Sequence, residues 1–138
     1  MSTITIKTTV AADPELTWKC YTDPEHITKW NFASEDWCCP NAENDLTVGG
    51  VYKARMEAKD GSFGFDFEAV YSKVDEPNSL SYTMPDSRVV TTSFQSVSGS
   101  TLVTTVFDAE TENDEEMQRK GWQAILDNFK KHVESLTA

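Results

Sequence analysis

The alternation of apolar and polar positions divides the chain into strands and helices with few gaps. Residues 3–10 alternate and are β-branched (Thr3, Ile4, Thr5, Ile6, Val10), which predicts a strand. Asp13-Pro14-Glu15 then reads as a helix start, an Asp cap followed by Pro at the first helical position. That helix carries Leu16, Trp18, Cys20 and Tyr21, and the same signal at Asp23-Pro24-Glu25 opens a second short helix through Ile27 to Trp30.

The middle of the chain reads as antiparallel sheet. Gly49-Gly50 precedes the alternating Tyr52, Ala54, Met56, Ala58, and Asp60-Gly61 marks a hairpin. Phe63, Phe65, Phe67, Ala69 and Tyr71 alternate along the return strand. A turn at residues 76–79 leads to Leu80, Tyr82 and Met84, Pro85-Asp86 turns into residues 88–97, and Ser98-Gly99 turns into 101–107. Connections this short require antiparallel pairing, because parallel strands need long crossovers.

The last segment is a long amphipathic helix. Asn113 with Glu116 three residues on resembles a capping box, and Asp114, Glu115 and Glu116 suit the positive end of the helix dipole. Met117, Trp122, Ile125, Leu126, Phe129, Val133 and Leu136 recur at helical spacing. From Asp114 to Leu136 the helix is roughly 35 Å long at about 1.5 Å per residue. The expected fold is therefore α+β, with a curved antiparallel sheet of about six to seven strands wrapped around one long C-terminal helix. Two short helices follow the first strand. Such a sheet must bury one face, and only the long helix is large enough to cover it.

Length and charge narrow the function classes. With 138 residues the chain is the size of one domain, expected to span 1–138, with no room for a separate cofactor domain. Its net charge of −11 argues against a nucleic-acid backbone or an anionic membrane surface as partner. No apolar run is long enough for a membrane span, and the opening residues lack a signal-peptide layout, so a cytoplasmic protein is expected. Three cysteines, Cys20 and the adjacent Cys38 and Cys39, are no disulfide framework and fit a reducing compartment.

Five stretches carry a family resemblance. They are TDPEHITKW at 22–30, GGVYKARMEAKDG at 49–61, FDFEAVY at 65–71, EPNSLSY at 76–82 and GWQAILDNF at 121–129. In this order they resemble the bacterial branch of the START-like helix-grip superfamily, often called SRPBCC. Within it they resemble the domain shared with the C-terminal half of the co-chaperone that activates the Hsp90 ATPase. The resemblance implies a helix-grip fold with a cavity between sheet and helix. It does not fix a function, since the superfamily includes lipid carriers, polyketide cyclases and resistance proteins.

The residues that suit such a cavity are aromatic. Trp30, Phe32 and Trp37 lie where the family places a cavity mouth. Tyr52, Met56, Phe67, Tyr71, Tyr82 and Met84 share the phase assigned to the concave face, and Trp122, Leu126 and Phe129 face them from the helix. The tyrosine hydroxyls and tryptophan indoles would supply the few polar handles of a mostly apolar site. For any one of these residues, ordinary core packing is the simpler assignment.

Chemistry-bearing motifs are sparse. His26 and His132 have no sequence-local carboxylate partner and read as surface or edge histidines. The cysteines with His26 lack the spacing of a zinc knuckle, so no metal site is expected. Asp66 and Glu68 fall on the face opposite the pocket, as do Arg55 and Glu57, which are placed to pair across strands. No nucleophile elbow or phosphate-binding loop is present, so no cofactor is implied. The expected activity is binding of a small hydrophobic molecule by a monomer or homodimer, in which the edge strand at 3–10 could pair with a copy of itself. The alternatives are a cyclase- or hydrolase-like enzyme using Tyr52, Tyr82 or His132, and a chaperone-interacting protein.

Overall fold

The computed structural model describes residues 2–137. The order of elements is β1 (Thr3–Val10), α1 (Pro14–Thr22), α2 (Pro24–Trp30), β2 (Trp37–Asn44), β3 (Val51–Ala58), β4 (Gly64–Asp75), β5 (Ser79–Thr83), β6 (Val89–Val97), β7 (Ser100–Asp108) and α3 (Glu115–Thr137). The strands form one seven-stranded sheet in the order β1-β7-β6-β5-β4-β3-β2. Every neighbouring pair is antiparallel. Six strands run as a meander, and β1 joins the sheet beside β7, the last strand of the chain.

The local signals act as the sequence predicts. The Asp13 side chain accepts a hydrogen bond from the Leu16 N–H at 2.8 Å, and the Asp23 side chain accepts one from Glu25 at 3.0 Å. Each cap satisfies a donor left without an intrahelical acceptor. Ser98 and Gly99 both take positive φ (50° and 84°), the backbone of a tight turn whose twist matches the flanking strands. The α3 cap differs by one residue. Asp114 accepts from the Glu116 N–H at 2.7 Å, whereas Asn113 donates its side-chain amide to Glu110.

Strand β2 has no counterpart in the sequence pattern. Trp37-Cys38-Cys39-Pro40-Asn41-Ala42-Glu43-Asn44 does not alternate and contains a proline. Pairing with β3 creates the strand. The register shifts between Cys38 and Asn41, so Pro40 sits in a bulge on an edge strand, where its missing N–H breaks no ladder.

The other edge, β1, is not open to a second copy along its length. Its outward carbonyls accept hydrogen bonds from α3: Arg119 donates to Thr5 at 2.9 Å, Gln123 to Lys7 at 3.1 Å and Lys130 to Thr9 at 2.8 Å. Glu134 accepts from the Ala11 N–H at 2.9 Å. The expected open edge at 3–10 is thus capped from within the chain, one of the ways a sheet blocks edge-to-edge pairing.

The concave face and α3 enclose the core, in which Ile4, Val10, Trp18, Ile27, Leu80, Val90, Phe94, Val103, Phe107, Phe129 and Val133 are buried. The convex face carries charge. Lys53 pairs with Glu68 at 3.5 Å, and Arg55 pairs with Glu57 at 3.1 Å and with Asp66 at 3.7 Å. These half-exposed pairs contribute little to stability. They do fix which face of β3 and β4 points outward, and so which face is left for the interior.

Candidate functional site

A cavity of about 270 Å³ lies between the concave face and the first half of α3. Its position follows from strand phase. Tyr52 and Met56 project inward from β3, Phe65, Phe67 and Tyr71 from β4, and Tyr82 from β5, with Met84 just beyond. Cross-strand partners share a face, so the Met56–Phe65 and Tyr71–Tyr82 pairings place these side chains together. From α3 the wall is completed by Gln118, Trp122, Ile125 and Leu126, one stripe at helical spacing.

The rings brace one another around the void. Tyr52 lies 5.7 Å from Tyr82 and 5.8 Å from Phe67, and Tyr82 lies 6.0 Å from both Phe67 and Tyr71. Trp122 stacks on Phe107 at 4.1 Å with the planes 13° apart. The four contacts among Tyr52, Phe67, Tyr71 and Tyr82 are tilted or edge to face, the favoured arrangements of aromatic pairs, and fix these rings around the space.

Of the twelve residues proposed from sequence, Trp30, Tyr52, Met56, Phe67, Tyr71, Tyr82, Met84, Trp122 and Leu126 line this cavity. Phe32, Trp37 and Phe129 do not. Phe129 is fully buried in the packed core, 5.0 Å from Trp30 and 5.2 Å from Tyr21. Trp37 sits one ring behind the wall, against Phe63 at 5.9 Å and Phe65 at 6.1 Å. Phe32 is half-buried and contributes its carbonyl, which accepts from the Asn128 side chain at 2.5 Å. Sequence reasoning missed Ile6, Tyr21, Asn31, Phe65, Arg88, Thr105, Glu110, Gln118 and Ile125. Phe65 and Ile6 had the correct phase. The polar ones gave no periodic signal.

The polar groups divide into occupied and available. Trp30 donates its indole N–H to the Cys20 carbonyl at 2.9 Å, so it offers the cavity only its ring. Gln118 accepts from the Glu110 N–H at 2.9 Å and donates to the Asn113 carbonyl at 2.8 Å, clamping the loop before α3. The Tyr21 hydroxyl meets Thr92 at 3.2 Å, and Thr92 meets Thr105 at 2.9 Å. The Tyr52 hydroxyl accepts from Asn31 at 3.2 Å, which leaves its own proton to donate. Burial pushes the hydroxyls of Tyr52 and Tyr82 well above the ordinary tyrosine value, and neighbouring tyrosines push them further. At neutral pH both are phenols that donate or accept a hydrogen bond, not bases.

Arg88 and Glu110 mark the polar end. Arg88 is held by Asp86 at 2.6 Å, and this contact and the attached backbone bonds hold the Asp86 carboxyl below its usual range despite an opposing desolvation effect. His132 lies outside the cavity, its Nε2 2.8 Å from Nδ1 of His26. An acid–base role for His132 on a molecule in the cavity is therefore not supported by geometry.

A curved antiparallel sheet gripping one long helix, with a hollow beneath that helix, defines an α+β protein of the helix-grip class. Residues 11–134 match the family model described as activator of Hsp90 ATPase homolog 1-like protein, and the chain belongs to that family. Among solved structures it is similar to the AHSA1-like protein of Aeromonas hydrophila, at 43% identity over 99% of this chain and 94% of that one, with a TM-score of 0.93. It is also similar to a Cytophaga hutchinsonii protein, at 42% identity over 97% of this chain and 93% of that one, with a TM-score of 0.83. A Chromobacterium violaceum protein shares the fold at 24% identity, covering 97% of this chain and 99% of that one, with a TM-score of 0.87. No curated protein matches the chain. Among the described residues no helix is long and apolar enough to cross a membrane.

Proposed function

We propose that the protein binds a small, largely apolar molecule in the cavity under the first half of α3, without transforming it. The observation that carries this reading is the void itself, about 270 Å³ walled by mutually braced rings. Protein interiors pack to roughly 0.75 of their volume, with few holes larger than a water molecule. An apolar cavity of about 150 Å³ is enough to hold benzene. This one has room for a bicyclic aromatic or a short acyl chain. Its few available polar groups, the Tyr52 and Tyr82 hydroxyls and Arg88, favour a ligand with an apolar body and one or two oxygen functions.

Binding without chemistry is favoured over a cyclase- or hydrolase-like reaction. The cavity tyrosines remain protonated, and the histidine expected as a base, His132, pairs with His26 outside the cavity. A chaperone partner, suggested by the family's name, needs no cavity and leaves the hollow unexplained.

A thermal-shift screen against lipids, flavonoids and aromatic polyketides tests the reading. A ligand at 100 times its dissociation constant adds about 2.7 kcal/mol of stability. The expected outcome is a melting shift of several degrees with quenching of tryptophan fluorescence, both abolished in Ile6→Phe, whose added ring occupies the cavity. Shifts that persist in Ile6→Phe would place binding elsewhere, and no shift with any compound would count against ligand binding.

A further inference from the structure

The three helices bring together side chains that the sequence leaves far apart. Cys20 is on α1, His26 on α2 and His132 on α3. Their donor atoms (Cys20 Sγ and one ring nitrogen from each histidine) lie within 4.8 Å of one another. His26 Nδ1 and His132 Nε2 are 2.8 Å apart, and the two rings are tilted by 59°. Cys20 is fully buried, while both histidines are half-buried, so the cluster opens toward the surface on its imidazole side. None of the three lines the cavity.

We propose that Cys20, His26 and His132 form a binding site for a thiophilic transition-metal ion, with zinc the best fit, separate from the ligand cavity. Tetrahedral zinc takes nitrogen at about 2.0–2.1 Å and sulfur at about 2.3 Å. Those bond lengths require donor separations of roughly 3.3 Å between nitrogens and 3.6 Å between nitrogen and sulfur. The observed triangle reaches that shape if the nitrogens part by about half an ångström and the sulfur closes in, which side-chain rotation supplies. Three protein ligands leave the fourth position for water or an incoming ligand.

The donor set also selects the metal. Thiolate and imidazole suit zinc or copper(I) and give no advantage to magnesium or calcium, which demand oxygen. Metal entry displaces protons in a balanced way. The Cys20 thiol proton goes to solvent, and the proton shared between His26 Nδ1 and His132 Nε2 moves to the outer nitrogen of its ring or to solvent. Without metal the nearby charges are mixed, with Asp23 and Lys19 beside Cys20 and Lys29 beside His132. Sequence spacing does not show this site, because it is not a knuckle and does not use Cys38 or Cys39.

The test is titration of the untagged, reduced full chain with cobalt(II) as spectroscopic probe, followed by zinc competition. The expected result is one equivalent bound, with a thiolate-to-cobalt charge-transfer band that zinc abolishes. Cys20→Ser should lose the band. His26→Gln and His132→Gln should each weaken binding about tenfold or more, since even outer-sphere partners contribute that much. The Cys38→Ser/Cys39→Ser double variant should bind like the parent. A measurement on the parent chain guards against variants that fail to fold. Zinc should shift the ring signals of His26 and His132 in the NMR spectrum and leave the Cys39 signals in place. No saturable binding, a band that survives Cys20→Ser, or a band lost only with Cys38 and Cys39 would overturn the proposal and leave the histidine pair as a hydrogen bond joining α2 to α3.

Discussion

The two halves of α3 rest on different kinds of interior. The second half buries Phe129 and Val133 completely, against Trp30, Tyr21 and the aliphatic end of the sheet. The first half presents Gln118, Trp122 and Ile125 to a hollow lined by aromatic residues of β3, β4 and β5. The same helix and the same sheet therefore make a close-packed core at one end and a cavity at the other. Aromatic rings line both ends, and their spacing differs. In the packed half, Trp18, Tyr21, Trp30, Phe94 and Phe129 close on one another with ring centroids 5.0–5.4 Å apart. Around the hollow, Tyr52, Phe67, Tyr71 and Tyr82 stand farther apart, at 5.7–6.0 Å, in tilted and edge-to-face contacts. On the proposed function, stability is concentrated in the first arrangement and binding capacity in the second.

The largest expected effect lies in the packed half. Phe129→Ala should destabilise the protein by about 3–5 kcal/mol in urea unfolding, the usual cost of deleting a fully buried ring. A loss below about 1 kcal/mol would mean that this half is as loosely filled as the other. Enlarging a side chain sharpens the contrast. Val133→Phe should cost about 1–3 kcal/mol because no space receives the added atoms. Ile6→Phe, beside the 270 Å³ void, should change stability by much less. Equal losses from the two substitutions would contradict the comparison.

Smaller effects separate occupied from available hydroxyls. Tyr21→Phe breaks the bond to Thr92 in a buried chain of hydroxyls and should cost about 1 kcal/mol. Tyr82→Phe should cost less than about 0.5 kcal/mol in the ligand-free protein, since its hydroxyl faces the cavity, yet it should weaken any ligand that bonds there. Chemical unfolding of both variants checks the order.

Much of the architecture was legible in the sequence because its signals are local. Two Asp-Pro helix starts, the turns at Asp60-Gly61 and Ser98-Gly99, and the apolar stripe of α3 each act within a few residues. Alternation on β3 to β5 likewise placed Tyr52, Phe67, Tyr71 and Tyr82 on one face. What was not legible depends on contacts between distant segments. Strand β2 exists because β3 pairs with it, despite Pro40 and a polar composition. Phe129 and Leu126 belong to one helical stripe, yet only Leu126 reaches the cavity, because the hollow ends partway along α3. The capping of β1 by Arg119, Gln123 and Lys130 spans more than a hundred residues of sequence, as does the meeting of His26 with His132. No periodicity encodes such meetings.

The central claim, that the hollow half accepts an apolar molecule, is tested most directly with the methionine methyl groups. Met56 and Met84 line the cavity, while Met117 is 63% exposed on α3 and is not part of the lining. Methyl-labelled protein titrated with 2-naphthol, a neutral bicyclic probe, should show saturable ring-current shifts at Met56 and Met84 and none at Met117. If all three signals stay in place, or if Met117 moves with the others as expected of surface adsorption, the cavity is not a binding site for such molecules.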